Sequence, residues 1–369
     1  MRLLQKECGK CLRHPFLWIV CITFGLFQFL SIYTYVGNAG MRKELRQMHV
    51  AVTDEETASP EFERAYADYK KTYGGMYDTL DMRKILEQKE KMSGYEPQGV
   101  WGSWIVRNYD RLQKRVEQIR KTGEGTYDFY PGSWYKLHTT LYGKLWKNLI
   151  LQTAVLMILS MLYLMDYERI YKTQDLVLAT TTGKKMMEKK MLAGTLCGLF
   201  YAGLLTVFTL LVFFAAVPFQ NLWHVPVAAC MVAEPRLQMM YPFVTFWRLE
   251  QWRYLLLALV VLVGLLGIVA AVTAAVQLFL QNSYFSFAVL SLLFMGAYLL
   301  AYVQMGNVWD LIRELFNPTV LYVTSGGWFM ENDLCLSFAG NEFAVLFCSG
   351  TAAVCLMAVG KRRYHRLEV

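Results

Sequence analysis

The sequence predicts an all-α polytopic membrane protein: six transmembrane helices, with an extracytoplasmic helical-hairpin insert between the first and second. Of 369 residues, 55% are hydrophobic and 18% charged, and the mean hydropathy is +0.27. Soluble chains run nearer about 45–50% apolar and about 25% charged. Six stretches, 16–36, 149–165, 191–217, 254–280, 284–305 and 343–359, contain no Asp, Glu, Lys or Arg. Charge collects elsewhere: residues 41–147 hold 19 of the 37 basic and 16 of the 29 acidic side chains. This distribution excludes a purely soluble enzyme. It also makes the net charge of +8 a matter of membrane topology rather than of nucleic-acid binding.

Residues 1–15 form a short basic entry segment, expected to be a cytoplasmic amphipathic elbow, and 16–36 form the first span. About 20 residues cross a hydrocarbon core at about 1.5 Å per residue, a length this run meets. The basic start, the apolar run and Gly37-Asn38-Ala39 also have the outline of a signal peptide. The run exceeds the about 7–15 residues of such an apolar region, and further spans follow, so a retained first helix is expected.

Residues 37–145 are too many for a connection and enough for an extracytoplasmic domain. Phe62, Tyr66, Tyr69, Tyr73, Met76 and Leu80 form one heptad-like seam, and Ile105, Tyr109, Leu112, Val116 and Ile119 another. A turn signal, Ser93-Gly94-Tyr95-Glu96-Pro97-Gln98-Gly99, lies between them, so a helical hairpin is expected. Gly74-Gly75 marks a kink or break in the first seam. Trp101, Trp104, Trp134, Tyr135, Tyr142 and Trp146 suit the headgroup belt where the insert meets the bilayer.

The second span is read as 146–165 and a cytoplasmic loop as 166–190. Residues 191–360 then hold helices three to six with outer loops 218–253 and 306–342, and 361–369 form a tail. Basic side chains orient the chain. Arg2, Lys6, Lys10 and Arg13, then Arg169, Lys172, Lys184, Lys185, Lys189 and Lys190, then Lys361, Arg362, Arg363 and Arg366 fall on one side after six crossings. By the excess of basic residues in cytoplasmic loops, that side is the cytoplasm, with both termini there. Charges in the insert do not count, because loops beyond about 60 residues translocate regardless of charge.

Catalytic signatures are missing. Thr180-Thr181-Thr182-Gly183-Lys184-Lys185 has a Gly-Lys pair but neither the glycine spacing nor the following hydroxyl of a P-loop. Nucleophile-elbow and zincin motifs are absent and the five histidines are scattered, so neither an enzyme nor a metal site is expected in this chain. Cys8 and Cys11 have the spacing of a metal or redox pair but no further ligands nearby, and read as small residues on an entry helix. Pairing of Cys230 with Cys335 stays open. Asp310, Glu314, Glu331, Asp333 and Glu342, the acids near the last outer loop, read as solvated or interfacial charges. The absence of charge and of proline inside the spans disfavours ion-coupled carriers with broken helices.

Small residues at four-residue spacing, Gly194, Gly198 and Ala202 in the third span and Gly267, Ala271 and Ala275 in the fourth, predict close helix contacts within the bundle or across a dimer.

The inner loop carries a more specific pattern. Tyr167, Glu168, Arg169 and Ile170 begin an amphipathic turn; Leu178, Thr180, Thr181, Thr182 and Gly183 break it; Lys184, Lys185 and Lys190 lead into the third span. Lys6-Glu7 and the segment from Lys10 to Phe16 precede the first span like an amphipathic elbow. In these features, and in its six spans with a large insert after the first, the chain resembles bacterial permease subunits of the type-2 ABC exporter family. It lacks the proline that often follows the hydroxyl run in that family.

The resemblance implies an ABC transporter permease in the cell membrane, working as a dimer with a second permease subunit, homo- or heteromeric, and surrounded by membrane lipid. It implies a cytoplasmic ATPase that binds ATP and Mg in its own chain and receives the loop of Tyr167, Glu168, Arg169, Thr180, Thr181, Thr182, Gly183, Lys184 and Lys185. The uncharged spans suit export of an amphipathic cargo such as a lipid or peptide. A membrane sensor, with a ligand-binding outer hairpin and no transport, is the alternative reading.

Overall fold

A computed structural model describes residues 2–37, 75–93, 99–125, 137–173, 183–217, 219, 222–231, 243–303, 308–331 and 338–367, with isolated positions at 42, 60, 63–64, 67–68 and 71. Among the described residues the fold is all-helical, with two isolated β-bridges, Pro226 with Glu250 and Thr245 with Met330. In chain order the helices are α1 Arg2–Leu12, α2 Pro15–Val36, α3 Met82–Ser93, α4 Gly99–Thr122, α5 Trp146–Met165, α6 Tyr167–Ile170 and α7 Gly183–Ala216. There follow α8 Val227–Cys230, α9 Gln251–Leu280, α10 Ser283–Leu300, α11 Val308–Leu315, α12 Thr319–Val323 and α13 Asn341–Leu367.

Six helical segments are long and apolar enough to cross a membrane: Pro15–Val36, Thr139–Met165, Met186–Ala216, Gln251–Leu280, Ser283–Leu300 and Asn341–Tyr364. The chain is a multi-pass membrane protein. The second segment starts earlier than the sequence suggests, because a π-helical turn, Thr139–Leu145, runs directly into α5. The third and sixth extend past their charge-free cores, so Lys190 and Glu342 lie within crossing helices. The helices thus continue beyond the charge-free runs that they contain.

Helix α5 is the axis of the bundle. α7 and α9 pack along it, α2 and α10 touch it, and α13 packs on the far side of α9. Gly194 and Gly198 allow the α5–α7 approach: a Cβ at Gly198 would lie 3.0 Å from Met157 Cα, and one at Gly194 3.0 Å from Met161 Cα. Ala202 is buried on the same helix. In the fourth-span stripe, a Cβ at Gly267 would meet no atom within 4 Å among the described residues, so this glycine makes no close contact within the bundle. In the α9–α13 contact Gly264 meets Leu346, Gly350 meets Ile268, and Gly360 meets Leu278 and the Ala275 carbonyl. Ala271 packs with Ile268 and Ala353.

Local chemistry sets the tight turn between α9 and α10. Gln281 takes the left-handed conformation, φ 51°, that closes α9, and Asn282 Oδ1 accepts from the amides of Tyr284 and Phe285 at 3.0 and 3.3 Å to open α10. Two residues thus reverse the chain.

Helices α3 and α4 form an antiparallel pair whose core is Tyr77, Leu80, Met82, Ile85, Leu112, Val116 and Ile119. The second seam is as expected, but its partner is α3 rather than a helix through Leu80. Of the first seam, Phe62, Tyr66, Tyr69 and Tyr73 lie outside the described residues. Met76 belongs to a turn that begins at Gly75, φ 85°, and Leu80 lies just beyond it. The pair docks on the bundle through Tyr77, which donates to the carbonyls of Ala228 and Phe243 at 3.2 and 3.0 Å. Arg115 forks onto Glu124, at 3.3 and 2.5 Å, and donates to the Thr245 carbonyl.

Candidate functional site

The end of the bundle that carries α1 gathers four charged side chains from three separate elements. Helix α1 supplies Glu7 and Lys10 at i, i+3, which places both on one face; α6 supplies Glu168 and the third turn of α7 supplies Lys190. Lys10 Nζ lies 2.6 Å from Glu7 Oε1 and 3.3 Å from Glu168 Oε1, and Lys190 pairs with the other carboxylate oxygen of Glu168. Glu7, Glu168 and Lys190 are buried, and Lys10 lies over the Tyr167 ring at 4.4 Å. Two acids against two bases make a neutral, enclosed network, the condition under which buried charge is tolerated.

Around it, backbone ends are tied across elements. Tyr201 donates its hydroxyl to the Cys11 carbonyl at 3.4 Å and Trp18 donates its indole N–H to Leu12 O at 2.7 Å. The Trp18 bond satisfies a carbonyl that the end of α1 leaves open, while the Cys11 carbonyl also accepts from the His14 amide at 3.1 Å. Asp166 accepts from the Ser283 hydroxyl at 2.8 Å, which joins the end of α5 to the start of α10. Burial, with the neighbouring Cys197 thiol, pushes the Cys8 thiol up to about 11. Cys8 is thus a packed thiol rather than a reactive one at neutral pH.

The expected docking residues separate in this geometry. Glu168 faces inward and is consumed by Lys10 and Lys190, so it positions the turn and is not itself a contact surface, a correction that follows from its burial. Tyr167 is half-buried beside Tyr163 and Tyr171, while Arg169, Ile170, Tyr171 and Lys172 are exposed. Lys172 takes the left-handed conformation, φ 54°. Gly183, Lys184 and Lys185 begin α7. Thr180, Thr181 and Thr182 lie outside the described residues. The sequence marked Lys10 as part of the entry elbow and Lys190 as part of the basic approach to the third span; their partnership with Glu168 spans 158 residues in one case and has no local signature.

At the opposite end, which carries the insert, an aromatic and polar cluster closes the bundle. The His138, Tyr142 and Tyr254 rings lie 4.6 to 4.9 Å apart, with Trp146 and Phe329 beside them. Glu342 Oε1 accepts from the Phe329 amide at 2.5 Å and holds that residue at φ 62°. Cys230 is a free, buried thiol that receives a hydrogen bond from Gln251 Nε2 at 3.0 Å, while Cys335 lies outside the described residues. Burial drives His138 down to about 3, so its imidazole is neutral.

Asp310, Glu314, Glu331 and Glu342 are buried rather than solvated, because their loop folds back onto the helices; Asp333 lies outside the described residues. Within the bundle, Gln28 Nε2 donates to Gln152 Oε1 at 2.9 Å and to the Leu145 carbonyl at 3.4 Å. Such a bond satisfies polar groups that lipid cannot. A lone Gln in each of two apolar runs was its only sequence signal.

Among the described residues no group of three or more His, Cys, Asp or Glu is arranged to hold a metal. No protein-family model matches the chain, and no curated protein and no solved structure matches it significantly.

Proposed function

We propose that the chain is the membrane-spanning subunit of an ATP-driven exporter of the type-2 ABC kind, with ATP hydrolysis in a separate cytoplasmic subunit and a second permease subunit beside it. The observation that carries this reading is the ion network of Glu7, Lys10, Glu168 and Lys190. It couples the turn after the second crossing helix to both the entry helix and the third crossing helix. A push on the exposed residues Arg169, Ile170, Tyr171 and Lys172 would therefore pass to three elements at once. On this reading the α1 end is cytoplasmic and the α3–α4 pair extracytoplasmic, in keeping with the basic flanks. The cargo is an amphipathic molecule, lipid or peptide.

Purification from native membranes in mild detergent, with partners identified by mass spectrometry, tests this. An ATPase with Walker motifs is expected to co-purify, and to be lost from an Arg169→Ala, Tyr171→Ala variant that remains monodisperse. Recovery of a kinase or regulator in place of an ATPase would overturn the proposal in favour of a sensor.

A further inference from the structure

Helix α4 lies across the insert end of the bundle with most of its surface in use. Trp104 meets Phe338 edge-on at 5.5 Å, Tyr109 donates to Glu331 at 3.5 Å, and Arg115 donates to the Thr245 carbonyl at 3.1 Å. Toward α3, Gln113 Oε1 accepts from the Met82 amide at 2.8 Å and Asp110 pairs with Arg83 at 2.9 Å, while Leu112, Val116 and Ile119 fill the core of the pair. What remains is the side turned away from both neighbours. It carries Ser103, Arg107, Arg111, Lys114, Gln118 and Lys121, all exposed and each three or four residues from the last.

At about 100° and about 1.5 Å per residue, Arg107, Arg111, Lys114 and Lys121 fall within a fan of about 80° and form a row about 21 Å long. The row holds no acidic and no apolar side chain. Of the acids on its flank toward α3, Asp110 is taken by Arg83, and Glu117 lies about 75° around the helix from the centre of the row. The other two cations of α4 behave differently. Arg115 is paired with Glu124 and Arg120 with Asp78, whereas none of the four in the row is ion-paired among the described residues.

We infer that this row is a docking surface for a linear polyanion, a chain of repeated phosphates on the insert side of the membrane. A lipid surface does not fit, because the row points away from the bundle that the lipid surrounds. A folded protein fits poorly, because the row offers no aromatic or aliphatic anchor, and exposed ion pairs by themselves contribute little. A phosphate polymer needs no such anchor: each cation that neutralises a phosphate releases condensed counterions, so cations in line add their effects along the chain. The inference rests on the position of the row and not on the proposed transport function.

The test titrates the full chain, held in phosphatidylcholine nanodiscs, into end-labelled sodium polyphosphate and follows fluorescence anisotropy at several salt concentrations. By the relation for single phosphate chains, four contacts give a slope of log K against log salt of about −3, a weakening of about 50-fold from about 50 to 200 mM salt. Arg111→Gln is expected to make that slope shallower by about 0.7. Replacing Arg107, Arg111, Lys114 and Lys121 together by Gln should abolish binding with the thermal midpoint kept, while Lys84→Gln, Lys91→Gln on the exposed side of α3 leaves it intact. A fourfold variant that binds with the wild-type affinity and slope would overturn the inference and assign binding to the basic flanks at the other end. Equal affinity for poly-glutamate would overturn it in favour of an acidic polypeptide, and no binding by the wild type would overturn it outright.

Discussion

Glu168 and its neighbour Arg169 differ in what they face. Glu168→Gln leaves Lys10 and Lys190 enclosed with less counter-charge, a change that costs about 3–5 kcal/mol when a buried pair is broken. Arg169→Ala removes an exposed side chain and is expected to stay within about 0.5 kcal/mol. Thermal unfolding in detergent should show a marked drop for the first and none for the second; equal midpoints would mean that the network does not hold the turn. His138 yields a pH dependence of known sign. Its folded value, about 3, lies below the ordinary 6.5, so below pH 6.5 the unfolded chain takes up a proton that the folded chain refuses. Stability from this site is full above pH 6.5 and declines as pH falls toward 3, by about 1.4 kcal/mol per pH unit. His138→Phe should flatten that decline in midpoints measured from pH 7 to pH 4; an unchanged acid profile would exclude His138 as its source.

Between elements, two glycines of similar sequence context have opposite surroundings. A side chain at Gly198 would reach within 2.4 Å of Met157 Sδ and 3.0 Å of its Cα, so Gly198→Val must push α7 from α5. The expected cost is about 1–3 kcal/mol, the range for overpacking a tight contact. Gly267→Ala meets no atom within 4 Å and replaces a flexible helix-interior residue, so it should be neutral or gain up to about 1 kcal/mol. Paired unfolding measurements on the two variants check both; a destabilised Gly267→Ala would mean that a second subunit covers that face. Both stripes were legible as small-residue patterns, but only the crossing of α5 with α7, and of α9 with α13, decides which glycine is in contact. The same applies to the insert, where the seam of Leu112, Val116 and Ile119 was readable from its period, whereas its partner α3 carries too few apolar positions for a seam to stand out.

For the whole molecule, the sequence by itself determined the class, the number of crossing helices and the basic flanks. These depend on local quantities: the length of apolar runs against the thickness of hydrocarbon, and the placement of lysine and arginine at their ends. Only the tertiary structure decided that Glu168 faces inward to Lys10 and Lys190, that Gln28 meets Gln152, and that the acids after the fifth crossing helix are enclosed rather than solvated. Each of these depends on which side chain lies opposite another across a helix contact. A charged residue in a polar stretch looks the same in sequence whether water or a counter-charge from a distant helix satisfies it, and only the fold brings that partner within reach.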